Sequence, residues 1–317
     1  MGLIRILRLS RPHALAAIAF ILVGVQCGII EPVFEQAGVA NPFTTCDFIL
    51  VLLAEVLIAA GGFVINGYFD LRADLITKPQ RVIVGRDVSR RQAIASHFGF
   101  TLAATILALI PAWHAGRLLL CVLFPLAAGL FWFYSSTYKY QFLIGNLILT
   151  VLAFALPLVP FMYEVQCVDS SLWSMAALGA FPLAEAFQKI LGVSVALAAL
   201  TILLALVNEV QRFTKSADLG ANSLPVRIGL KGTKLVVAGL YLVVLALFVG
   251  VALRSLLVHY DEFGYLFTPL YLLLAMCPPV VVSMLAFLVG DQYSYYRFAY
   301  WALALDFPLL GAYLLLL

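Results

Sequence analysis

The run Asn66-Gly-Tyr-Phe-Asp70-Leu-Arg72-Ala-Asp74 carries the most specific chemistry in the chain. Asn66, Asp70 and Asp74 stand at i, i+4 and i+8. On a helix each four-residue step advances about 40° and roughly 6 Å, so the three oxygen-bearing side chains form one ridge. Two carboxylates one turn apart repel each other unless a cation sits between them. Hard oxygen ligands suit Mg2+, which takes one or two protein carboxylates and completes its shell with waters and phosphate oxygens. Arg72, Lys78 and Arg81 follow at close range and are suited to gripping outer phosphate oxygens. Such a set fits a diphosphate with an apolar tail. The competing reading is a solvated loop whose acids balance the neighbouring arginines.

The elements that must position this ridge are set by composition. The chain has 317 residues, 64% of them hydrophobic and 11% charged, with a mean hydropathy of +1.06. A soluble protein has about 45–50% apolar and roughly 25% charged residues, so an ordinary soluble enzyme, a disordered chain and a nucleic-acid module are excluded. The net charge of +3 implies no polyanionic partner, and nucleic acid is not expected. Period-two alternation is missing, which argues against a membrane barrel. Nine apolar runs are long enough to cross a bilayer as helices: about 13–30, 48–66, 95–112, 118–135, 142–163, 188–207, 234–253, 267–289 and 296–316. The first follows Arg5, Arg8 and Arg11 but has no small-residue cleavage site after it, so it reads as a retained helix.

With the N-terminus placed inside, sixteen of the 19 Lys and Arg fall in inner segments, and only Arg117, Lys189 and Arg254 fall outside. This bias supports both the orientation and the number of spans. Two inner loops are long, from Gly67 to Ile94 and from Asn208 to Thr233. The expected architecture is an all-α membrane protein. It forms one domain over residues 1–317, a nine-helix transmembrane bundle with a central apolar cavity opening at the cytoplasmic face. The expected location is the cell inner membrane, with the N-terminus and both long loops cytoplasmic and the C-terminus on the opposite face.

Asn66–Asp74 with Lys78-Pro79-x-Arg81 resembles the first aspartate-rich motif of the UbiA superfamily of intramembrane prenyltransferases. Further pieces match in order. Arg11-Pro12 is similar to the family's Arg-Pro pair before helix 1, and Tyr134-Ser135 with Lys139 to its Tyr-Ser…Lys segment. Gly145-Asn146 is similar to its Gly-Asn step in helix 5, and Leu224-Pro225-Val226-Arg227-Ile228-Gly229 to the stretch closing its second motif. The resemblance implies nine helices, Mg2+ as cofactor, a polyprenyl diphosphate donor and a small aromatic or lipid acceptor, handled within the lipid bilayer. A quinone-precursor aromatic acid or a prenylglyceryl phosphate suits the basic second loop better than a tetrapyrrole.

The second loop departs from the family pattern. It carries only Glu209 and Asp218 as acids, nine residues apart, where two or more aspartates at helical spacing are usual. Three explanations stay open. Asp218, helped by Glu209, Gln211 or Asn222, completes a sparser metal site; or Arg212 and Lys215 neutralise the diphosphate in place of a second metal; or catalysis is lost and a binding relic remains. The candidate metal ligands are therefore Asn66, Asp70, Asp74 and Asp218, with Asp70, Asp74 and Asp218 as the catalytic set. Candidate substrate contacts are Asn66, Arg72, Lys78, Arg81, Lys139, Asn146, Arg212 and Lys215. Tyr68, Phe69, Phe131, Trp132 and Tyr134 are aromatic faces that suit a developing allylic cation. A secondary transporter is the rival from another class, but it calls for ionisable groups near the midplane, and only Glu55 and Asp306 look deep.

Overall fold

A computed structural model describes residues 2–77, 80, 82–177, 179, 181–216, 222–258 and 266–317. The described residues are nearly all helical, and the only β pairing among them is the single Val84–Val88 bridge. Among the described residues nine helices are long and apolar enough to cross a membrane. They are span 1 (Pro12–Gln36), span 2 (Thr45–Phe69), span 3 (Arg90–His114), span 4 (Leu118–Ser136), span 5 (Ile144–Cys167), span 6 (Leu183–Thr214), span 7 (Leu224–Val258), span 8 (Phe267–Val289) and span 9 (Tyr293–Leu316). Eight of the expected runs lie within one of them, and the fifth, 142–163, starts two residues before span 5.

The helices outrun the apolar stretches at their polar ends, because backbone hydrogen bonding continues past the last apolar residue. Span 2 begins at a Thr44 cap whose hydroxyl accepts from Asp47 N at 3.1 Å. Span 3 begins at a capping box in which Ser89 accepts from Gln92 N and Gln92 accepts from Ser89 N. The stretch expected as a loop from Asn208 to Thr233 is helical through Ser216 and again from Leu224, so Glu209 and Arg212 lie on a helix. Gly229, at φ 74° and ψ 167°, breaks span 7 between a short leading helix and the long one.

The chain divides into two compact units. One holds Met1–Lys139 and Phe154–Ser194, the other Tyr140–Ala153 and Val195–Leu317. In the first, span 2 packs on spans 3 and 4. Ala104, Ala108 and Ala112, at i, i+4 and i+8, present a flat strip against Val51, Ala54 and Ile58. Gly62 serves the same purpose towards span 4, since a Cβ there would stand 2.7 Å from the Phe131 ring. His97 is buried, and its Nδ1 lies 3.1 Å from Gly61 O, which ties span 3 to span 2 near the motif. In the second unit spans 7, 8 and 9 meet at Tyr241, Ser283 and Tyr296. The Tyr241 hydroxyl lies 2.5 Å from Ser283 Oγ, which donates to Ala299 O at 2.8 Å.

Candidate functional site

Span 2 ends at Phe69, Asp70 caps it, and a short helix, Leu71–Thr77, follows at once. The turn between them keeps helical hydrogen bonds: Asp70 N donates to Asn66 O at 2.9 Å and Asp74 N to Asp70 O at 2.8 Å. The backbone of Asp70 stays in the right-handed helical region, at φ −75° and ψ −7°. The four-residue spacing is therefore spent on helical turns, and Asn66, Asp70 and Asp74 line one cleft.

The Asn66 and Asp70 oxygens converge on a positive charge. Asn66 Nδ2 donates to Asp70 Oδ2 at 3.1 Å. Lys139 Nζ donates to Asn66 Oδ1 at 2.8 Å and pairs with the same Asp70 Oδ2. Lys139 sits in a single 3-10 turn, Tyr138–Tyr140, after span 4, and its side chain is only 5% exposed against 15% for Asp70. An ammonium lodged between an amide oxygen and a carboxylate marks a place where cation binding is favourable. Two carboxylates and one amide oxygen form a hard donor set, and a Mg2+ ion needs no more from the protein when phosphates and waters supply the rest. Among the described residues no group of three His, Cys, Asp or Glu side chains forms a protein-only metal cage.

The cleft measures about 220 Å³. Its opposite wall comes from the N-terminus, where Arg8, Leu9 and Arg11 face the ridge, with Phe63, Leu71 and Val82–Val84 between. The Arg11 guanidinium lies over the Phe63 ring, 5.2 Å from its centroid. Arg8 and Phe63 are functional candidates that the sequence reading passes over. The available signal was the pair Arg8 and Arg11 at i, i+3 directly before the motif-matching Arg11-Pro12 step.

The other candidates fall out as follows. Arg72 is exposed on the short helix and is not part of the cleft lining. Lys78, Arg81 and Asp218 lie outside the described residues, as does the side chain of Lys215. Of the aromatic faces, Phe69 and Trp132 meet edge to face at 5.5 Å, and Trp132 also packs on His97 and Phe98, so these rings build the wall between spans 2, 3 and 4.

In the second unit, Asn146 and Glu209 are brought together. Asn146 Nδ2 donates to Glu209 Oε2 at 2.9 Å, and Leu224 N donates to Glu209 Oε1 at 2.7 Å. Glu209 is buried, so both carboxylate oxygens are committed to tying spans 5 and 6 to the start of span 7. Asn222 accepts from Arg227 Nε at 2.7 Å, while its own N donates to Tyr140 O at 2.8 Å. Arg212 is half-buried on span 6. Of the residues weighed as helpers of a sparse second metal site, Glu209 and Asn222 thus hold the Leu224–Gly229 segment in place, and Gln211 is buried on span 6.

Among the described residues five acids are buried: Asp47, Glu55, Glu164, Glu209 and Asp306. Glu55 and Asp306 are buried, and neither carboxylate has a hydrogen-bond partner among the described residues. Glu164 is buried as well and accepts from Gln26 Nε2 at 2.9 Å, beside Glu31 on the same amide.

Residues 33–303 match the sequence profile of the UbiA prenyltransferase family. A digeranylgeranylglyceryl phosphate synthase of Hyperthermus butylicus is 24% identical over 288 residues, covering 90% of this chain and 84% of that one. Another from Methanosarcina mazei is 29% identical over 224 residues, covering 69% and 67%. Among solved structures, the fold is similar to the apo structure of a UbiA homolog from Aeropyrum pernix K1, with a TM-score of 0.65 at 18% identity over 96% of this chain and 98% of that one. It is also similar to a UbiA homolog from Archaeoglobus fulgidus bound to GPP and Mg2+, with a TM-score of 0.60 at 16% identity over 99% and 100%.

Proposed function

The chain belongs to the UbiA prenyltransferase family, and from that premise we propose that it moves a polyprenyl group from its diphosphate to the free hydroxyl of a prenylglyceryl phosphate, with Mg2+ as cofactor. The observation that carries this reading is the ridge of Asn66, Asp70 and Asp74 lining one cleft at the end of span 2, with Asn66 and Asp70 holding the Lys139 ammonium. The choice of acceptor is supported by the named relatives, both digeranylgeranylglyceryl phosphate synthases. A quinone-precursor acid is the other acceptor for the test panel.

The residues divide the work. Asn66, Asp70 and Asp74 would hold the metal, which when bound neutralises the diphosphate and makes it a better leaving group. Lys139 already lies between the Asn66 and Asp70 oxygens and would turn its ammonium to a phosphate oxygen with the metal in place. The bond between the first prenyl carbon and the diphosphate oxygen breaks, and the electron pair leaves with the oxygen. The acceptor hydroxyl oxygen forms the new C–O bond and gives up its proton to the departing diphosphate. Phe63, the aromatic side chain in the cleft wall, keeps water from the prenyl carbon and offers its ring face to developing positive charge. The prenyl tail extends into the apolar interior.

The protein is integral to a membrane. We place the motif end of span 2 and the N-terminus on the cytoplasmic side of the cell membrane and the C-terminus on the other, following the charge bias, with residues 1–317 acting as one catalytic domain.

Purified protein incubated with labelled geranylgeranyl diphosphate, Mg2+ and a panel of acceptors tests the reading. Prenylated glyceryl phosphate that disappears with EDTA is the expected outcome. Donor binding with no product from any acceptor would instead mark a lipid-binding relic of the fold. Asp70→Ala and Asp74→Ala should each lower Mg2+-dependent turnover by about 100-fold or more while the protein stays folded. Full activity in either variant would remove the proposed metal role.

A further inference from the structure

We infer that Arg8 is a phosphate-binding residue, delivered to the cleft by the N-terminal helix Gly2–Leu9, which lies as a strap across the carboxylate ridge. This rests on the proposed prenyl transfer and deepens it by naming a second, metal-independent grip on an oxyanion.

The strap is docked rather than loosely tethered. Ile6 and Leu9 pack against a small core of Val64, Val84 and Val88. Leu9 seats on Gly67 so closely that a Cβ there would stand 2.8 Å from Leu9 Cδ1. At the far end the strap is locked by a tight turn. Ser10 is buried and donates to Leu7 O at 2.8 Å, and Arg11 adopts the left-handed conformation at φ 55°. On its open side Arg5 Nη1 donates to Asp87 O at 3.2 Å. A non-glycine residue held at positive φ costs about 1–2 kcal/mol and persists only where its surroundings over-determine it.

The charge placement gives the strap a purpose. Arg8 and Arg11 line the cleft that Asn66, Asp70 and Asp74 line from the other side. Among the described residues neither arginine makes an ion pair, while Asp70 is paired by Lys139 instead. Arg11 is engaged over Phe63, so Arg8 is the guanidinium best placed to take an anion entering the cleft. A planar guanidinium pairs two phosphate oxygens at once, which an exposed lysine cannot do. This supplies positive charge from the first unit in a chain whose second loop lacks the usual acids for a second metal.

Phosphate oxyanions come from two sources, the donor diphosphate and the acceptor phosphate, and the test has an arm for each. Wild type, Arg8→Gln, Arg8→Lys and Arg5→Gln would be placed in nanodiscs. Equilibrium affinity would be measured for geranylgeranyl diphosphate with Mg2+, and separately for geranylgeranylglyceryl phosphate, with no turnover required. The expected result is a loss of about tenfold or more for Arg8→Gln in at least one arm, the size of a lost charge-assisted hydrogen bond. Arg8→Lys should recover part of it, and Arg5→Gln, whose guanidinium is held by Asp87, should change neither arm. Movement of the donor arm alone assigns Arg8 to the diphosphate, and movement of the acceptor arm alone assigns it to the acceptor. Unchanged affinity in both arms overturns the inference, as does an equal loss in Arg5→Gln, which would signal general surface charge. Because both arms read binding, a failure of prenyl transfer itself would show separately as absent product with these affinities intact.

Discussion

Lys139→Met separates a lysine that serves the ridge from one that merely anchors a helix end. In the structure the Lys139 ammonium occupies the ground between Asn66 Oδ1 and Asp70 Oδ2, so an incoming metal ion must displace it. A hydrogen bond to a charged group contributes about 1.5–3 kcal/mol, and the low end applies because Asp70 keeps 15% of its side chain in contact with solvent. Removing the competitor should therefore tighten metal binding to the protein without diphosphate by about tenfold, at 1.4 kcal/mol per decade. The same variant loses its partner for a largely enclosed carboxylate and should be destabilised by about 1.5–3 kcal/mol in EDTA. Saturating metal restores most of that, since a ligand at about 100 times its Kd adds roughly 2.7 kcal/mol. Its affinity for geranylgeranyl diphosphate should fall, because the phosphate loses a cation. Mn2+ binding followed by electron paramagnetic resonance, with thermal unfolding in EDTA and in Mg2+, reads all of this. A variant that melts normally in EDTA and binds Mn2+ no more tightly than wild type would refute the displacement argument.

Other perturbations follow from the same coordinates. Glu209→Ala should cost about 2 kcal/mol or more in unfolding free energy, because Leu224 N and Asn146 Nδ2 both lose their acceptor, and Glu209→Gln should cost less. Unchanged stability in Glu209→Ala would mean that the carboxylate is free for another role. Gly62→Ala should destabilise by about 1–3 kcal/mol, since the new methyl group meets the Phe131 ring at 2.7 Å; a neutral result would mean that span 4 yields easily.

Local regularities were legible from the chain alone. Membrane spans are set by the transfer cost of some twenty consecutive side chains, so nine of them can be counted without tertiary information. The ridge of Asn66, Asp70 and Asp74 follows from helical periodicity, and the backbone honours that spacing even across the break after Phe69. The identity of the donor set, hard oxygens beside cations, is likewise a property of residue types at fixed offsets. What these regularities could not supply was the end of each helix, because hydropathy stops at the first polar residue whereas backbone hydrogen bonding does not. Glu209 was therefore read as a loop acid when it is a buried helical one.

Only the tertiary structure chose partners. Lys139 meets Asn66 across 73 positions, and Asn146 meets Glu209 across 63, separations that no local period encodes. Arg8 reaches the cleft because Gly67 lacks a side chain and Arg11 turns the chain left-handed, two features whose meaning depends on what lies opposite them. A charged side chain's role is decided by which oppositely charged or hydrogen-bonding groups packing brings within about 3 Å, and that is a property of the assembled bundle rather than of any stretch of its sequence.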